Sequence, residues 1–388
     1  MKTLIAGILA TLLTTSQAAL LITDHVDIAY RYVPASDTWQ TYFVHGGDFN
    51  EPDLETPLDH AALPARDRLT TAPINPGDRE VRNSNAAFHL IGAPEGAPIW
   101  TFPQSNRGYT WPGLRGAHPT GTLLSYANFD PRINGLNRRW QAVELLGVEY
   151  SGEATGSPHF SLYTTSGFGV PTFWMSTVDG INANDRYYMP EKSHSHMNWS
   201  FTGLGIYRIT LRGSAFRASD SQPISSEPHI VTFAVGTLAT WRATHFSGPD
   251  IVNPVIGVPM ADPDGDGLIN LLEYAFHLNP NLPDAVPMVA ATGLSGLPRV
   301  ALENVNGEDR LAMEFIRRKA SSNPQITYTP QFISNLAAND WNTAGTTTVT
   351  DVPGTNWERV KIIDSQAIGS MTRRFGRVKI TLQSTINY

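Results

Sequence analysis

The stretch that decides the fold class is Val26-Asp27-Ile28-Ala29-Tyr30-Arg31-Tyr32, in which every second side chain, beginning with Val26, is apolar. A period of two is typical of a β-strand that buries one face. Similar alternation returns at Ile206 to Leu211 and at Ile230 to Val235, with clusters of Gly, Pro, Asn and Asp between such segments. This pattern predicts that residues 19–237 form a large antiparallel β-sandwich.

The strand at Val26 is followed by a second one, and the two are expected to form a β-hairpin. The turn-forming residues Pro34-Ala35-Ser36 separate them. If the turn is centred on Ala35, Val26 faces Val44 and His25 faces His45. The sequence therefore predicts one pair of neighbouring histidines on the hairpin.

The pattern changes after the first sandwich. Residues 238–290 contain the only segment of the mature chain that convincingly predicts a helix, Ile269 to Phe276, which is expected to end at Asn279-Pro280. Residues 291–388 alternate again, for example at Arg377 to Leu382. We therefore expect a mostly β protein in which a short connector joins the large sandwich to a second, smaller β-sandwich.

Composition excludes several classes of function. The chain has 388 residues, of which 28 are basic and 35 acidic, and it has no cysteine. A net charge of −7 without a basic cluster argues against nucleic acid as a partner. Without cysteine, any transition-metal site must be built from His, Asp or Glu, so the 11 histidines are the residues to examine.

The N-terminus predicts export. Lys2 precedes an apolar run from Leu4 to Leu13, and the small residues that end at Ala18 fit a cleavage site, so residues 1–18 are expected to be a signal peptide. The run is too short to span the membrane, which takes about 20 residues. We expect an exported mature chain without a transmembrane span, at the cell surface, in the periplasm or secreted. An uncleaved N-terminal membrane anchor is the alternative.

The most specific motif is the twelve-residue segment Asp262 to Glu273, which fits a calcium-binding loop at every position. Gly267 occupies the sharp turn, and Ca²⁺ is the expected ion. The predicted ligands are Asp262, Asp264, Asp266, the carbonyl of Leu268, Asn270 and Glu273. An acidic turn that only caps the helix is the alternative, but it accounts for one or two of these residues.

A second metal site is predicted from histidines. On an extended chain, His194 and His196 point to the same face about 7 Å apart, close enough to bind one ion. With His25 and His45 they form a four-histidine candidate site for a zinc-like ion, near Asp24 and Asp27 as further oxygen ligands. A polar strand edge without a metal is the alternative for the His194 pair.

The acidic loop and its surroundings resemble a connector found near the C-termini of many exported bacterial proteins, similar to thrombospondin type 3 and dockerin loops. The matching segments are Trp241 to Phe246, the Asp-rich loop and Asn270 to Ala275. In such proteins a small β-module commonly follows, and Phe315 to Arg318 and Arg374 to Val378 are similar to that module. The resemblance implies a structural or display role for this part of the chain.

The first sandwich resembles the choice-of-anchor M domain of bacterial surface proteins. The blocks that carry the resemblance are His25 to Ile28, Val44-His45, Phe88 to Pro94, Pro98 to Trp100, His194 to Phe201 and Gly205 to Thr210. Some members of this family are encoded beside metal-type ABC importers. The resemblance therefore implies capture of a metal ion, with zinc as the expected ion and such a transporter or a cell-surface component as the expected partner, and it brings no catalytic residue.

Two functions other than metal binding stay open at the level of sequence. One is adhesion, or binding of carbohydrate or protein, on aromatic platforms formed by Trp100, Tyr109, Trp111, Trp174 and Trp199, although such side chains often fill sandwich cores. The other is catalysis. The sequence argues against it, because it shows no nucleophile elbow and no two-metal motif. We therefore expect a non-enzymatic binding protein.

Overall fold

The computed structural model describes residues 18–45, 54–65, 79–118, 120–123, 125–126, 132, 138–152, 156–370 and 373–383. The predicted signal peptide lies outside these residues except for Ala18. The fold is mostly β and consists of a large sandwich, a helical connector and a smaller sandwich, as predicted. No helix formed by the described residues has both the length and the apolar composition needed to cross a membrane.

The large sandwich is built from three sheets. Its strands are β1 (Leu20–Leu21), β2 (His25–Val33), β3 (Thr38–His45), β4 (Leu54–Thr56), β5 (Ala61–Ala65), β6 (Arg79–Val81), β7 (Pro98–Phe102), β8 (Trp111–Gly116), β9 (Ser125–Tyr126), β10 (Arg138–Ser151), β11 (Phe160–Thr165), β12 (Pro171–Ser176), β13 (Arg186–Pro190), β14 (Ser193–His196), β15 (Asn198–Phe201), β16 (Gly205–Phe216), β17 (Pro223–Ser225) and β18 (His229–Val235).

The sheet orders are β1-β5-β18-β16-β10-β13, with β17 beside β16 and β9 beside β10; β12-β11-β15-β7-β6; and β14-β8-β2-β3-β4. Most pairings are antiparallel, and among the described strands β1 with β5, β5 with β18 and β2 with β8 are parallel. The parallel pair β2 and β8 matters for function because it joins distant parts of the chain in one small sheet.

The alternation that predicted the sandwich is visible in its core. Val26, Ile28 and Tyr30 on β2 are fully buried and belong to one large apolar cluster, which also contains Trp199 and Phe233 from other sheets. Burial of apolar area at roughly 25 cal/mol per Å² is the main force that holds these sheets together. Strand β2, which carries His25, is therefore held in position by the core on its buried face.

Two α-helices occur in the described residues, α1 (Thr237–Ala243) and α2 (Asn270–Phe276). Only α2 is predicted by the sequence pattern, and it ends earlier than predicted, because His277 already adopts a left-handed conformation with φ of 60°. Helix α1 follows Gly236, whose φ is 97°, and the sequence pattern did not predict it.

Helix α1 packs against both sandwiches. Its residues Ala239 and Ala243 belong to an apolar cluster with Ile206 of the large sandwich. Leu238 and Trp241 instead join the core of the second sandwich. The connector is therefore part of two cores.

The second sandwich pairs a four-stranded sheet with a two-stranded one. Its strands are β19 (Arg299–Val305), β20 (Glu308–Arg318), β21 (Ile326–Ile333), β22 (Gly345–Asp351), β23 (Trp357–Ala367) and β24 (Phe375–Leu382), in the orders β19-β20-β23-β22 and β21-β24. Short 3₁₀ turns in the described chain are Leu58–His60, Ala86–Ile91, Asp250–Val252, Ala320–Ser322, Leu336–Ala338 and Ile368–Ser370. The core of this sandwich includes Leu271, Tyr274 and Phe276 of α2, so the acidic loop that precedes α2 is tied to this sandwich.

Candidate metal centres

The hairpin formed by β2 and β3 has a register one residue away from the predicted one. Val26 pairs with His45 and Val33 pairs with Thr38. The turn has four residues rather than an odd number, since Ser36 N–H donates to the Val33 carbonyl and Asp37 follows with φ of 54°. The predicted pairs of Val26 with Val44 and of His25 with His45 are therefore wrong.

A shift of one residue moves a side chain to the other face of the sheet, and this decides the position of His45. His45 lies on the same face as Val26, and its Nε2 is hydrogen-bonded to Thr56 Oγ1 at 2.8 Å. His25 points to the opposite face. The structure therefore does not bring His45 to the other three histidines.

The remaining three histidines do converge, because β8 lies between β2 and β14. Asp27 of β2 and His196 of β14 both pair with Gly113 of β8, while His25 pairs with Trp111. A Cβ at Gly113 would lie 2.9 Å from Cε1 of His196 and would clash with the Asp27 carboxylate. The missing side chain of Gly113 thus leaves room for the two outer strands to share one site, which we call the histidine cluster: His25, Asp27, His194 and His196.

The distances in the histidine cluster match those of a metal site. One ring nitrogen of each of His25, His194 and His196 lies within 4.8 Å of the others, and His25 Nε2 is 3.2 Å from His196 Nε2. Two nitrogen ligands at about 2.1 Å from a tetrahedral ion are about 3.4 Å apart. Asp27 Oδ1 lies 3.8 Å from Nε2 of both His25 and His196. Asp24, the other carboxylate considered, is exposed and is not part of the cluster.

Electrostatics keep His196 ready to bind a cation. Its side chain is only 7% exposed, and burial, followed by the neighbouring charges of His25 and His194, lowers its pKa to about 4, while the Pro112 carbonyl opposes the shift. His196 is therefore neutral near pH 7, and a neutral imidazole has a free lone pair. Trp111 stacks on the His196 ring at 3.7 Å and donates its Nε1–H to the Gln104 carbonyl, which fixes the ring in place.

His118 and most of the aromatic residues proposed as platforms are packed inside the large sandwich. His118 is buried, accepts the Tyr32 N–H at 2.9 Å and bonds Gln141 through its other nitrogen. Of the five proposed aromatic platforms, Trp100, Tyr109, Trp174 and Trp199 are buried. Only Trp111 remains half-exposed, and it stacks on His196.

The predicted calcium loop folds its carboxylates back onto its own backbone. Asp262 accepts the N–H groups of Gly265 and Gly267, Asp264 accepts that of Asp266, and Asp266 accepts that of Leu268. These bonds orient the three aspartates so that one carboxylate oxygen of each lies within 4.8 Å of the others. Like charges this close repel unless a cation lies between them.

A second group of carboxylates shares Asp266 with the loop. One oxygen each of Asp266, Glu273 and Asp284 lies within 4.8 Å of the others. Glu273 is fully buried, and neither of its carboxylate oxygens has a hydrogen-bond partner. Burial and the negative charges of Asp264, Asp266, Asp284 and Asp262, in that order, raise the pKa of Glu273 to about 8. A buried carboxylate without a partner is costly, and a cation between these carboxylates would offset that cost.

Asp284 was missed at the level of sequence because it lies outside the twelve-residue pattern. Its Oδ2 accepts the Asn279 N–H, and the Ala285 N–H donates to Asp266 Oδ2 at 3.0 Å. These two bonds fold the segment after α2 back onto the loop. The Pro-Asp pair at 283–284 near the loop was the only signal available.

Asn270, a predicted ligand, has a structural contact of its own. Its Nδ2 donates to the carbonyls of Ile256 and Val258 at 2.7 and 2.8 Å, and its Oδ1 is buried without a hydrogen-bond partner. The side chain thus joins the start of α2 to the preceding turn. We call the set Asp262, Asp264, Asp266, Glu273 and Asp284 the acidic cluster.

Neither the family models nor the curated proteins include a match to this chain. The resemblances to the choice-of-anchor M domain and to the calcium-loop connector stay predictions.

Proposed function

We propose that the chain is an exported, non-enzymatic protein that binds one zinc-like divalent ion at His25, His194 and His196. The observation that carries the proposal is the convergence of three imidazole nitrogens within 4.8 Å, from strands far apart in the sequence. Imidazole is a preferred ligand of zinc and of neighbouring transition metals. A metal-type ABC importer or another surface component is the partner that the family resemblance implies.

The surroundings favour retention of an ion over chemistry on a substrate. Asp27, which is 1% exposed, is close enough to complete the coordination or to orient His25 and His196. His25 is 31% exposed and gives an ion access to the cluster. The adhesion alternative has less support, because four of its five aromatic residues are buried.

A matched set of variants tests the histidine site. His194→Ala combined with His196→Ala should weaken zinc binding by about 100-fold or more, since two of three nitrogen ligands are lost. His45→Ala is the control, because it removes a histidine of the same sheet that points to the other face. Equilibrium dialysis with metal analysis measures both. Equal zinc binding by the double variant and the wild type would rule out this site.

We further propose that the acidic cluster binds calcium as a structural ion. The supporting observation is the fully buried Glu273, whose two unpartnered oxygens lie beside Asp266 and Asp284. Calcium prefers six to eight oxygen ligands, which such a cluster supplies with loop carbonyls and water. Calorimetric titration of chelated protein with calcium and with zinc separates the two sites, since His194→Ala/His196→Ala should weaken zinc binding to the extent given above and leave calcium binding unchanged.

A further inference from the structure

Arg318, the last residue of β20, differs from its two neighbours in the chain. Arg317 pairs with Glu358 at 2.7 Å, and Lys319 pairs with Asp351 at 2.5 Å. Arg318 has no carboxylate of the described chain within 4.0 Å. Arginine stays charged in proteins, so the chain holds a cation here without an anion to balance it.

The contacts of Arg318 leave one edge of its guanidinium available. Its Cζ lies 3.8 Å from the ring centre of Tyr274 and 4.3 Å from that of Trp357, so aromatic rings stabilise the charge. Nε donates to the Tyr274 carbonyl at 3.0 Å. The two terminal nitrogens make no hydrogen bond to the described residues. They can therefore donate in the plane of the group, where a carboxylate or sulfate binds.

Arg318 is one of the residues that line a cavity of about 470 Å³ between α1 and the second sandwich. Thr240 and Trp241 of α1 form one side, and Ser322, Asn323 and Asn356 lie on the other. Among the described residues, no acidic side chain lines the cavity. The volume is within the range of small-molecule sites, about 300–1,000 Å³.

We infer that this cavity binds a sugar that carries one anionic group, with Arg318 as the residue that pairs with the anion. Thr240 and Ser322 donate their hydroxyls to backbone carbonyls, so these two oxygens and the amide of Asn356 can accept hydrogen bonds from the hydroxyls of a sugar. The unbalanced guanidinium selects the charged sugar over a neutral one. The site is separate from both metal centres and does not depend on the proposed function.

Calorimetric titrations of the full chain in calcium, without zinc, test this inference. The probes are glucuronate, glucose 6-sulfate and neutral glucose, which share a ring and differ in the anion. At least one anionic sugar should bind about 10-fold or more tightly than glucose, and the affinity should fall with added salt. The stronger of the two anionic probes identifies the group that Arg318 prefers. Absence of binding by either at about 10 mM, or equal binding of glucose, overturns the inference.

Two variants place any binding in this cavity. Arg318→Gln should reduce the affinity for the anionic sugar by about 30-fold, because it removes the charged partner. Because this change also removes two cation–π contacts, Asn356→Trp serves as a second variant, in which an exposed residue of the lining is enlarged to fill the entrance. Thr348→Trp, on the exposed strand β22, is the matched control and should bind like the wild type. Unchanged affinity in Asn356→Trp overturns the inference.

Discussion

The histidine cluster and the acidic cluster collect metal ligands in opposite ways. The histidine cluster takes imidazole rings from strands whose residues are up to 171 positions apart, and the core beneath the sheet fixes their spacing. The acidic cluster takes charged groups from one short segment and from Asp284, and those groups repel one another. The difference teaches that the fold alone sets the spacing of the first cluster, whereas we expect the second to need a cation that offsets the repulsion among its carboxylates.

Removal of calcium should therefore have the largest effect, and it should act on the second sandwich. A ligand present at about 1,000 times its dissociation constant stabilises the folded state by about 4 kcal/mol, which corresponds to about 15 °C or more for a domain of this size. Helix α2 shares the core of the second sandwich, so the melting temperature of that sandwich should fall. The melting temperature of the large sandwich should stay unchanged. Differential scanning calorimetry with and without a calcium chelator measures the two transitions.

Glu273→Gln tests the acidic cluster directly, because its effect on the stability of the second sandwich should change sign when calcium is removed. In calcium the variant loses a charged ligand and should be less stable than the wild type. In chelator it removes a repelled, buried carboxylate and should be more stable. Asp340→Asn, at an exposed position outside the cluster, should leave the stability unchanged both in calcium and in chelator. If chelation and Glu273→Gln both leave the two transitions unchanged, the acidic cluster has no structural ion.

How far the sequence predicted each site depends on the range of the interactions that build it. The acidic loop was predictable because Asp262 to Glu273 are contiguous, so their spacing alone specifies the turn. Asp284 was not, because two hydrogen bonds from backbone N–H groups to carboxylates, Asn279 to Asp284 and Ala285 to Asp266, bring it back to the loop. The histidine cluster depends on strand register, and a four-residue turn instead of an odd one was enough to move His45 away from His25. Asp27 was predictable, because it lies two residues from His25 on the same strand and therefore on the same face.

The pH dependence of stability should have opposite signs in the two regions when no metal is bound. The pKa of folded His196, about 4, is below the usual 6.5, so the unfolded chain binds more protons between these values, and stability falls as the pH drops through this window. The pKa of folded Glu273, about 8, is above the usual 4.5, so its contribution is present at low pH and is lost as the pH rises from about 4.5 to 8. Each effect is about 2 kcal/mol between pH 5 and pH 7.

Urea denaturation of chelated protein at pH 5 and pH 7 measures this contrast, with His196→Gln and Glu273→Gln each removing one of the two contributions. Because the nine tryptophans are spread over both sandwiches, pulsed hydrogen exchange of peptides from β16 and from β20 is used to follow the large and the second sandwich separately. Exposed His89→Gln is the control for the first variant. Parallel pH profiles in both sandwiches would contradict the assignment of these two buried groups.

The smallest expected change in stability comes from one methyl group at Gly113, and it tests whether the fold alone shapes the histidine cluster. A Cβ at this position would clash with the Asp27 carboxylate and lie 2.9 Å from both the His196 ring and the Ser195 carbonyl. Overpacking of this kind typically costs about 1–3 kcal/mol, and moving Asp27 and His196 apart should weaken zinc binding about 10-fold or more. Gly147→Ala is the matched control, because a Cβ there meets only Thr210, at 3.8 Å. Calcium affinity should be the same in both variants, since the acidic cluster belongs to the other sandwich. If Gly113→Ala binds zinc as tightly as Gly147→Ala, the spacing across β8 does not define the site, and the preformed geometry attributed to the large sandwich is wrong.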